Sequence, residues 1–578
     1  MKKSLTWSAI AAALAAVLWA AAQIVPAHTD LAALFPDNAL LYLEAKDFRT
    51  LLKDWNTSAE KRVWLQGANY QGFSRSRLFQ RLSQAQDEFS AAASIRPDNN
   101  LLSSVAGSQS ALALYDIGNI EFVYLTRMDQ AQVEATPLWQ VRDKFGQRTE
   151  GSAQFYVHQD QQSNRTAAFA ASNGWLVLST RADLIAAVLD RLQGAHPRSL
   201  PDEPWYADAL KQAIGPADDL RMVLNLEKLV PSPYFRSYWV QRNITEMKQY
   251  RAALCDLHRT PQSYREDRVL LRKPGATATA SGNVQPLLVL APDSAVFTSA
   301  QASPDPERVL AELRENLLDL KPEQMRVAWS APSGVAQENA GSPSMLEERI
   351  DVAPVIVAQS DPYKPLRTLI AAAQPAALLK VYTTRSPQDE MFVSIDRGIV
   401  VPAASPWNQD AIQNAIANAL RPGLTASQLG VVWVQHFGTS GNYSALDGQV
   451  PLYLAVRENQ LFVATSESLL NALLSHRNPS AQSKPDGLTY AAVFRHTPRE
   501  QQTFHKLVSS LDTANRSNNS APTPDDDAQD GNGQTPPFFS GNIASLGRMF
   551  VHVERESMQE KDEGTQVRQT VVYQWQHP

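Results

Sequence analysis

A turn, a short apolar strand and an amphipathic helix follow one another twice along the chain. The first copy spans residues 174–189 and the second spans 459–474. In each copy a hydroxyl residue precedes the helix, and an acidic residue, Asp183 or Glu467, lies in its first turn, where it favours helix formation. Leucines at helical spacing then predict an apolar helix face that packs on a sheet.

A second pattern also occurs twice, nearer the start of each half. Residues 35–44 contain Pro-Asp followed by alternating apolar positions, and a helical pattern continues over 48–55. Residues 290–298 repeat the same order, with a helical pattern over 306–320. Both segments predict a strand that leads directly into a helix.

Together the two repeated patterns predict a duplicated chain with an α+β fold, in which two lobes of mainly antiparallel sheet carry packed helices. The first lobe is predicted over residues 31–270 and the second over 286–578. The linker between them, 271–285, is rich in Gly, Ala, Thr and Ser. Chance similarity between ordinary strand-helix units is the alternative to a duplication.

A hairpin is predicted around the turn signal Gly118-Asn119, because apolar runs at 110–116 and 120–125 lie on either side of it. We place its counterpart in the second lobe at 429–435, a run of apolar residues of similar length.

Two segments rich in aromatic residues, 58–95 and 234–258, are predicted to be mainly helical. Their aromatic side chains are expected to face the core, and a membrane-surface or partner role is the alternative because arginines are interleaved with them. The single cysteine, Cys255, lies in the second segment and is interpreted as a small buried hydrophobe rather than a nucleophile.

The last seventy residues combine a polar segment with two strands. Residues 509–534 are acidic and contain almost no large apolar side chains, which predicts a disordered surface loop. Strands are predicted at 549–554 and 566–575, with a charged turn at 556–564 between them.

The amino terminus has the pattern of an export signal. Lys2 and Lys3 precede an uncharged, mostly apolar stretch at residues 5–25. Its length suits a membrane-spanning helix, whereas its small residues suit cleavage as a signal peptide, so residues 1–27 are either a signal anchor or a signal peptide. In both cases the remainder is expected in the periplasm or another extracytoplasmic space, tethered to the inner membrane if the stretch is retained.

Composition narrows the classes of partner. The 578 residues include 53 Lys and Arg against 59 Asp and Glu, a formal charge of −6 at pH 7. Such a balance offers no basic excess to a phosphate backbone, so we expect no nucleic-acid partner. One cysteine also excludes an internal disulfide.

A search for chemistry finds no catalytic, cofactor-binding or metal-binding motif. The ten histidines contain no zinc-binding pair on one helix, and Gly-x-Ser-x-Gly and phosphate-cradling loops are absent. His552 and Glu554 lie two residues apart, as an edge pair on a strand commonly does. Three Ser-Gly-Asn tripeptides are ordinary turn chemistry.

The first lobe resembles a known family as a whole. Residues 106–122, with Trp64-Leu65 and residues 70–76 upstream, resemble a family of long, exported or membrane-anchored bacterial proteins of unknown function. The resemblance implies a location in the bacterial envelope and supplies no activity, cofactor or site residue.

Two hypotheses about function follow. The first is a non-enzymatic cell-envelope protein whose duplicated α+β surface binds a protein, lipid or polymer partner. The second is an envelope hydrolase with a site assembled between the lobes, in which Asp116 or Glu121 from the predicted hairpin acts as an acid or base.

Overall fold

The fold is described from a computed structural model. The structure describes residues 30–58, 77–215, 218–234, 247–275, 282–318, 361–385, 394–420, 432–438, 440–447, 451–475, 487–495 and 553–575, with single helical positions at 61, 65 and 74.

These residues form helices and antiparallel strands, in agreement with the predicted α+β class. The strands are β1 (Leu41–Ala45), β2 (Ser110–Asp116), β3 (Glu121–Arg127), β4 (Gly146–Glu150), β5 (Ala153–Gln159), β6 (Thr166–Ser172), β7 (Trp175–Ser179), β8 (Leu220–Asn225), β9 (Tyr250–Thr260), β10 (Ser263–Arg272), β11 (Ala295–Ala302), β12 (Ala377–Arg385), β13 (Ser394–Pro402), β14 (Val432–Gly438), β15 (Gly441–Asp447), β16 (Leu452–Arg457), β17 (Gln460–Ala464), β18 (Tyr490–Arg495), β19 (Val553–Asp562) and β20 (Gln566–Trp575). The helices are α1 (Phe48–Thr57), α2 (Arg77–Ala93), α3 (Asn99–Val105), α4 (Gln130–Glu134), α5 (Pro137–Gln140), α6 (Ala182–Leu192), α7 (Pro204–Leu210), α8 (Leu226–Leu229), α9 (Gln285–Leu288), α10 (Pro306–Leu313), α11 (Lys364–Ala373), α12 (Gln409–Leu420) and α13 (Glu467–Ser475).

The chain forms two compact units. Among the described residues, the first unit comprises 30–258 and 268–273, and the second comprises 259–267 and 274–575. The tip of the β9–β10 hairpin therefore belongs to the second unit, where the Thr570 hydroxyl donates a hydrogen bond to Asp267 at 2.8 Å.

The sheet of the first unit is antiparallel throughout its described pairings. Its strands lie in the order β9-β8-β1-β2-β3-β7-β6-β5-β4. β1 lies between β2 and β8 although both are far from it in sequence, so the order depends on long-range pairing.

The sheet of the second unit has the order β20-β19-β18-β11-β12-β13-β17-β16-β15-β14, again antiparallel. From β19 to β14 every strand occupies the place that the strand ten numbers earlier occupies in the first unit. Helix α6 follows β7 in the first unit and α13 follows β17 in the second, so the equivalence extends to these helices.

The strand-helix units predicted at 174–189 and 459–474 are present as β7–α6 and β17–α13. In the first unit, Ile185 and Val188 of α6 are fully buried in one hydrophobic cluster with Val177 of β7. In the second unit, Leu470 of α13 lies in the equivalent cluster with Phe462 of β17. The apolar helix face inferred from leucine spacing is the face that packs on the sheet.

The prediction of helix up to residue 258 is wrong, because residues 250–260 form strand β9. Alternate residues of this strand, among them Ala252, Leu254 and Asp256, are buried, which is the period of two expected for a sheet. Cys255 is half-buried and lies opposite Met222 of β8. Pairing with a distant strand outweighed the local helical pattern.

Two further predictions are corrected. Residues 432–438 form β14, which is equivalent to β4, and the counterpart of the β2–β3 hairpin is β12–β13. The charged turn predicted at 556–564 is strand up to Asp562. Backbone hydrogen bonds to β18 and β20 hold these charged residues in extended conformation, and such bonds do not depend on side-chain polarity.

Several sequence predictions concern residues that lie outside the described part. These are the apolar stretch 5–25, the acidic segment 509–534 and His552. Within the described part, no helix is long and apolar enough to cross a membrane. At the predicted linker, 271–285, residues 271 and 272 belong to β10 and residue 285 begins α9.

A buried ion pair joins β8 and β9. Arg221 of β8 donates two hydrogen bonds to Asp256 of β9, at 2.6 and 2.8 Å, and both side chains are about 95% buried. A third bond reaches the carbonyl of Gly215. Removal of one partner from such a pair leaves an uncompensated charge in a medium of low dielectric constant.

We expect Asp256→Ala to lower the free energy of unfolding by about 3–5 kcal/mol, because Arg221 then remains buried without its counter-ion. Asp208→Ala is the control, since Asp208 pairs with Lys211 and Arg251 where water screens the charges, and its loss should cost at most about 1 kcal/mol. Urea denaturation of the full chain measures both values. If the two substitutions lowered the free energy of unfolding by the same amount, Arg221 would not be desolvated in the way that the structure indicates.

Candidate functional site

The two sheets end in strands of opposite chemical character. Among the described residues, β4 pairs only with β5 and β14 pairs only with β15, so each is an outermost strand at the same place in its unit. The exposed side chains of β4, which are those of Gln147, Arg148 and Thr149, are polar or charged. Those of β14 include Val432, Val434 and Phe437, which are 59%, 45% and 80% exposed.

The hairpin registers fix which residues correspond. Both outermost strands join their neighbours through two-residue connections, closed by Glu150 opposite Ala153 and by Gly438 opposite Gly441. Counting back from these closing pairs sets Phe437 at the place of Thr149 and His436 at the place of Arg148. Charged residues protect an exposed edge against pairing with another chain. β4 has that protection, and β14, which contains no charged residue, lacks it.

Backbone groups along one side of β14 point away from β15. The pair that closes a two-residue hairpin exchanges both backbone hydrogen bonds, and such pairs alternate with pairs that exchange none. Since Gly438 and Gly441 form the closing pair, the N–H and C=O groups of Trp433, Gln435 and Phe437 face outward. These groups form a template for an additional strand.

Helix α12 holds β14 in place from one face. The indole Nε1 of Trp433 donates to the carbonyl of Gln413 at 2.9 Å, and the ring packs against a buried cluster of the second unit. Gln413 in turn donates to the hydroxyl of Ser444 on β15 at 2.8 Å. Hydrogen bonds to α12 and β15 therefore hold β14, and with it the outward-facing backbone groups, in a defined position.

The opposite face of β14 carries a polar group of side chains. The imidazole of His436 stacks parallel to the ring of Tyr443, with centroids 5.2 Å apart. The Tyr443 hydroxyl donates to the carboxylate of Glu467 on α13 at 2.5 Å. This bond to an anion, together with burial, raises the pKa of Tyr443 to about 12.

The equivalent positions of the first unit are mostly apolar. Phe155 stands at the register position of Tyr443. Counting from Thr180 and Thr465, Ala182 and Ala186 correspond to Glu467 and Asn471. The Oδ1 atom of Asn471 is buried and has no hydrogen-bond partner among the described residues. The two units thus share a topology and differ in polarity beside β14.

The residues suggested for hydrolysis have structural partners in the first unit. Asp116 and Glu121 lie opposite each other in the β2–β3 register. The Asp116 carboxylate accepts the N–H of Asn119 at 2.7 Å and so closes the turn, and Glu121 pairs with Arg181 at 3.1 Å. Within the described ranges, no group of three or more His, Cys, Asp or Glu side chains is arranged to hold a metal ion.

The Ser-Gly-Asn tripeptide at 440–442 does lie at the candidate site, as part of the β14–β15 turn. Gly441 has φ +138°, a conformation that favours glycine, and the carbonyl of Ser440 accepts a hydrogen bond from Arg457. The serine therefore has a turn role, in agreement with the interpretation of the tripeptide.

Sequence reasoning missed the β14 edge. The counterpart of the β2–β3 hairpin is predicted at 429–435, whereas the run Val432–Gly438 forms the outermost strand β14. One signal was present in the sequence: the run has apolar residues on both alternating faces and contains no charge, which suits either a buried strand or an unprotected edge. Only the order in which the strands pair distinguishes a buried strand from an edge strand.

Comparison with known proteins adds no identification. No protein-family model matches the chain, and no curated protein matches it, so the resemblance to exported bacterial proteins of unknown function stays a prediction. Among solved structures, crystal form I of TP0453 is 10% identical over 43% of this chain and 81% of that chain, with a TM-score of 0.23. Crystal form IV is 9% identical over 42% and 79%, with the same TM-score. Values this low carry no argument.

The Tyr443–Glu467 bond yields a titration test. Glu467→Gln removes the anion that stabilises the neutral phenol, so we expect the pKa of Tyr443 to fall from about 12 toward its usual value near 10. NMR of isotope-labelled tyrosine, assigned with Tyr443→Phe, measures the shift. Ser475→Ala, at the far end of the same helix, serves as the control and should leave the titration unchanged. An unaltered pKa in Glu467→Gln would disprove the bond.

The raised pKa also has a consequence for stability. Because the folded state keeps the phenol protonated to higher pH, the stabilisation is complete below pH 10 and is lost as the pH rises toward 12. Above pH 10, the stability advantage of the wild type over Tyr443→Phe should therefore shrink.

Proposed function

We propose that this protein is a non-enzymatic binding protein of the cell envelope that takes up an extended polypeptide segment as an extra strand beside β14. The observation that carries the proposal is the contrast between β14, uncharged with Phe437 80% exposed, and the charged β4 at the same place in the other unit. The envelope location rests on the export pattern of residues 1–27.

We further infer that the two units arose by duplication, into lobes close to the predicted 31–270 and 286–578. Support comes from the shared strand order and from equivalent hydrogen bonds. The Thr180 hydroxyl accepts the N–H of Phe122 at 2.9 Å, and the Thr465 hydroxyl accepts the N–H of Arg397 at the same distance. After a duplication, equivalent strands of different chemical character are a sign of separate use, and β4 and β14 are such a pair.

The edge suits a polypeptide better than a lipid or a sugar polymer. Outward N–H and C=O groups recur at alternate residues of β14, which is the spacing of an adjoining strand. Val434 and Phe437 then provide apolar contacts on the two faces of the added strand. Burial of one large apolar side chain contributes about 1.5–3 kcal/mol.

No comparable observation supports the hydrolase hypothesis. Asp116 and Glu121 are engaged in a turn and in an ion pair. Neither arrangement resembles two carboxylates held on either side of a scissile bond.

A fluorescent heptapeptide of alternating valine and threonine tests the proposal on the full chain. We expect saturable binding by fluorescence anisotropy. Phe437→Thr, which installs the residue of the equivalent β4 position, should weaken it about tenfold, or ~1.4 kcal/mol, through loss of apolar contact. Thr149→Lys on β4 is the matched control and should leave the affinity unchanged.

Dependence on backbone pairing is tested with the same peptide methylated at alternate backbone nitrogens. Methylation removes the N–H donors and should abolish binding. No saturable binding of the unmodified peptide, or equal binding of the methylated one, would overturn the proposal.

A further inference from the structure

The two aromatic residues of β14 are placed symmetrically about the centre of the strand, and this placement indicates which strand can pair with its edge. The strand has seven residues, Val432–Gly438, and Gln435 is the central one. If two copies lie antiparallel about a two-fold axis through Gln435, Trp433 of one copy faces Phe437 of the other. Cross-strand aromatic pairs stabilise antiparallel sheets.

The same two-fold arrangement also provides hydrogen-bond partners for the exposed backbone groups of β14. The outward groups belong to Trp433, Gln435 and Phe437, which are spaced evenly around the centre. An antiparallel pairing that sets Gln435 opposite Gln435 and Trp433 opposite Phe437 gives each of these groups a hydrogen-bond partner. A shift of the register by two residues leaves outward groups at both ends without one.

The absence of charged side chains makes β14 better suited than β4 to pairing with a second copy of itself. β14 brings no charged side chain to the axis, so no like charges meet when two identical strands approach. The first unit offers outward backbone groups only at Gln147 and Thr149, beside the charged Arg148 and Glu150. A symmetric contact through that strand lacks both the aromatic pairs and the third hydrogen-bonded position.

We propose that two copies of this chain pair through β14, antiparallel and centred on Gln435, so that each copy closes the edge of the other. The inference rests on the proposed function, because it uses the same edge. It adds that a partner segment must displace the second copy, so that dimer formation and partner binding compete.

Charge substitutions at the axis provide the test. Gln435 is exposed, so Gln435→Lys and Gln435→Glu are tolerated in the monomer and place two like charges opposite each other in the dimer. Sedimentation of the full chain should show a dimer for the wild type. Each variant alone should dissociate with a constant raised at least about tenfold, and an equal mixture of the two should recover a mixed dimer.

Gln147→Lys, at the equivalent register position of β4, is the matched control and should dimerise like the wild type. A wild type that stays monomeric, or two variants that are monomeric alone and fail to associate when mixed, would overturn the inference. Peptide binding by a monomeric wild type would leave the proposed function intact, whereas a dimer that rejects the peptide at every concentration would contradict the function and leave the pairing standing.

Discussion

Backbone hydrogen bonding limits how an antiparallel sheet ends. Each strand satisfies its N–H and C=O groups by lying beside another strand, so an outermost strand keeps one row of them exposed. The described pairings of the two units run to β4 and to β14. At β4 the exposed row lies beside Arg148 and Glu150, whereas at β14 it lies beside Val434 and Phe437. The last strands of the two units therefore expose different chemistry beside the same row of backbone groups.

The interior of each unit obeys a different constraint. Close packing allows little change in volume or polarity, so Ile185 and Leu470 occupy equivalent buried positions of α6 and α13 with similar side chains. Beside β14 this constraint is relaxed. Tyr443 replaces the Phe155 of the first unit, and its hydroxyl requires an acceptor because it lies in a mostly buried place. Glu467 provides that acceptor from the exposed first turn of α13, so one polar substitution at the edge is matched by a second.

Local sequence patterns predicted many of the strands and helices correctly, but they did not predict the candidate site. The turn-strand-helix units at 174–189 and 459–474 and the hairpin at 110–125 were predictable because periodicity and turn chemistry act over a few residues. Two of the errors share one cause. Residues 250–258 and 556–562 lie in strands that pair with partners far away in the chain, as Leu257 does with Leu220 and Glu556 with Phe494. A single sequence contains no direct signal for such pairs.

The sequence by itself determined the export pattern of its first residues, the α+β class and the repeated strand-helix units, since each follows from hydrophobic spacing within short windows. Only the tertiary structure decided which strand lies outermost. Val432–Gly438 and Leu452–Arg457 are short apolar runs of similar appearance, yet β16 has a neighbour on each side whereas β14 has one among the described strands. The physical reason is that strand order is set by pairing between residues far apart in the chain, as between Gly398 and Ala464, and that order determines which apolar run is buried and which is exposed.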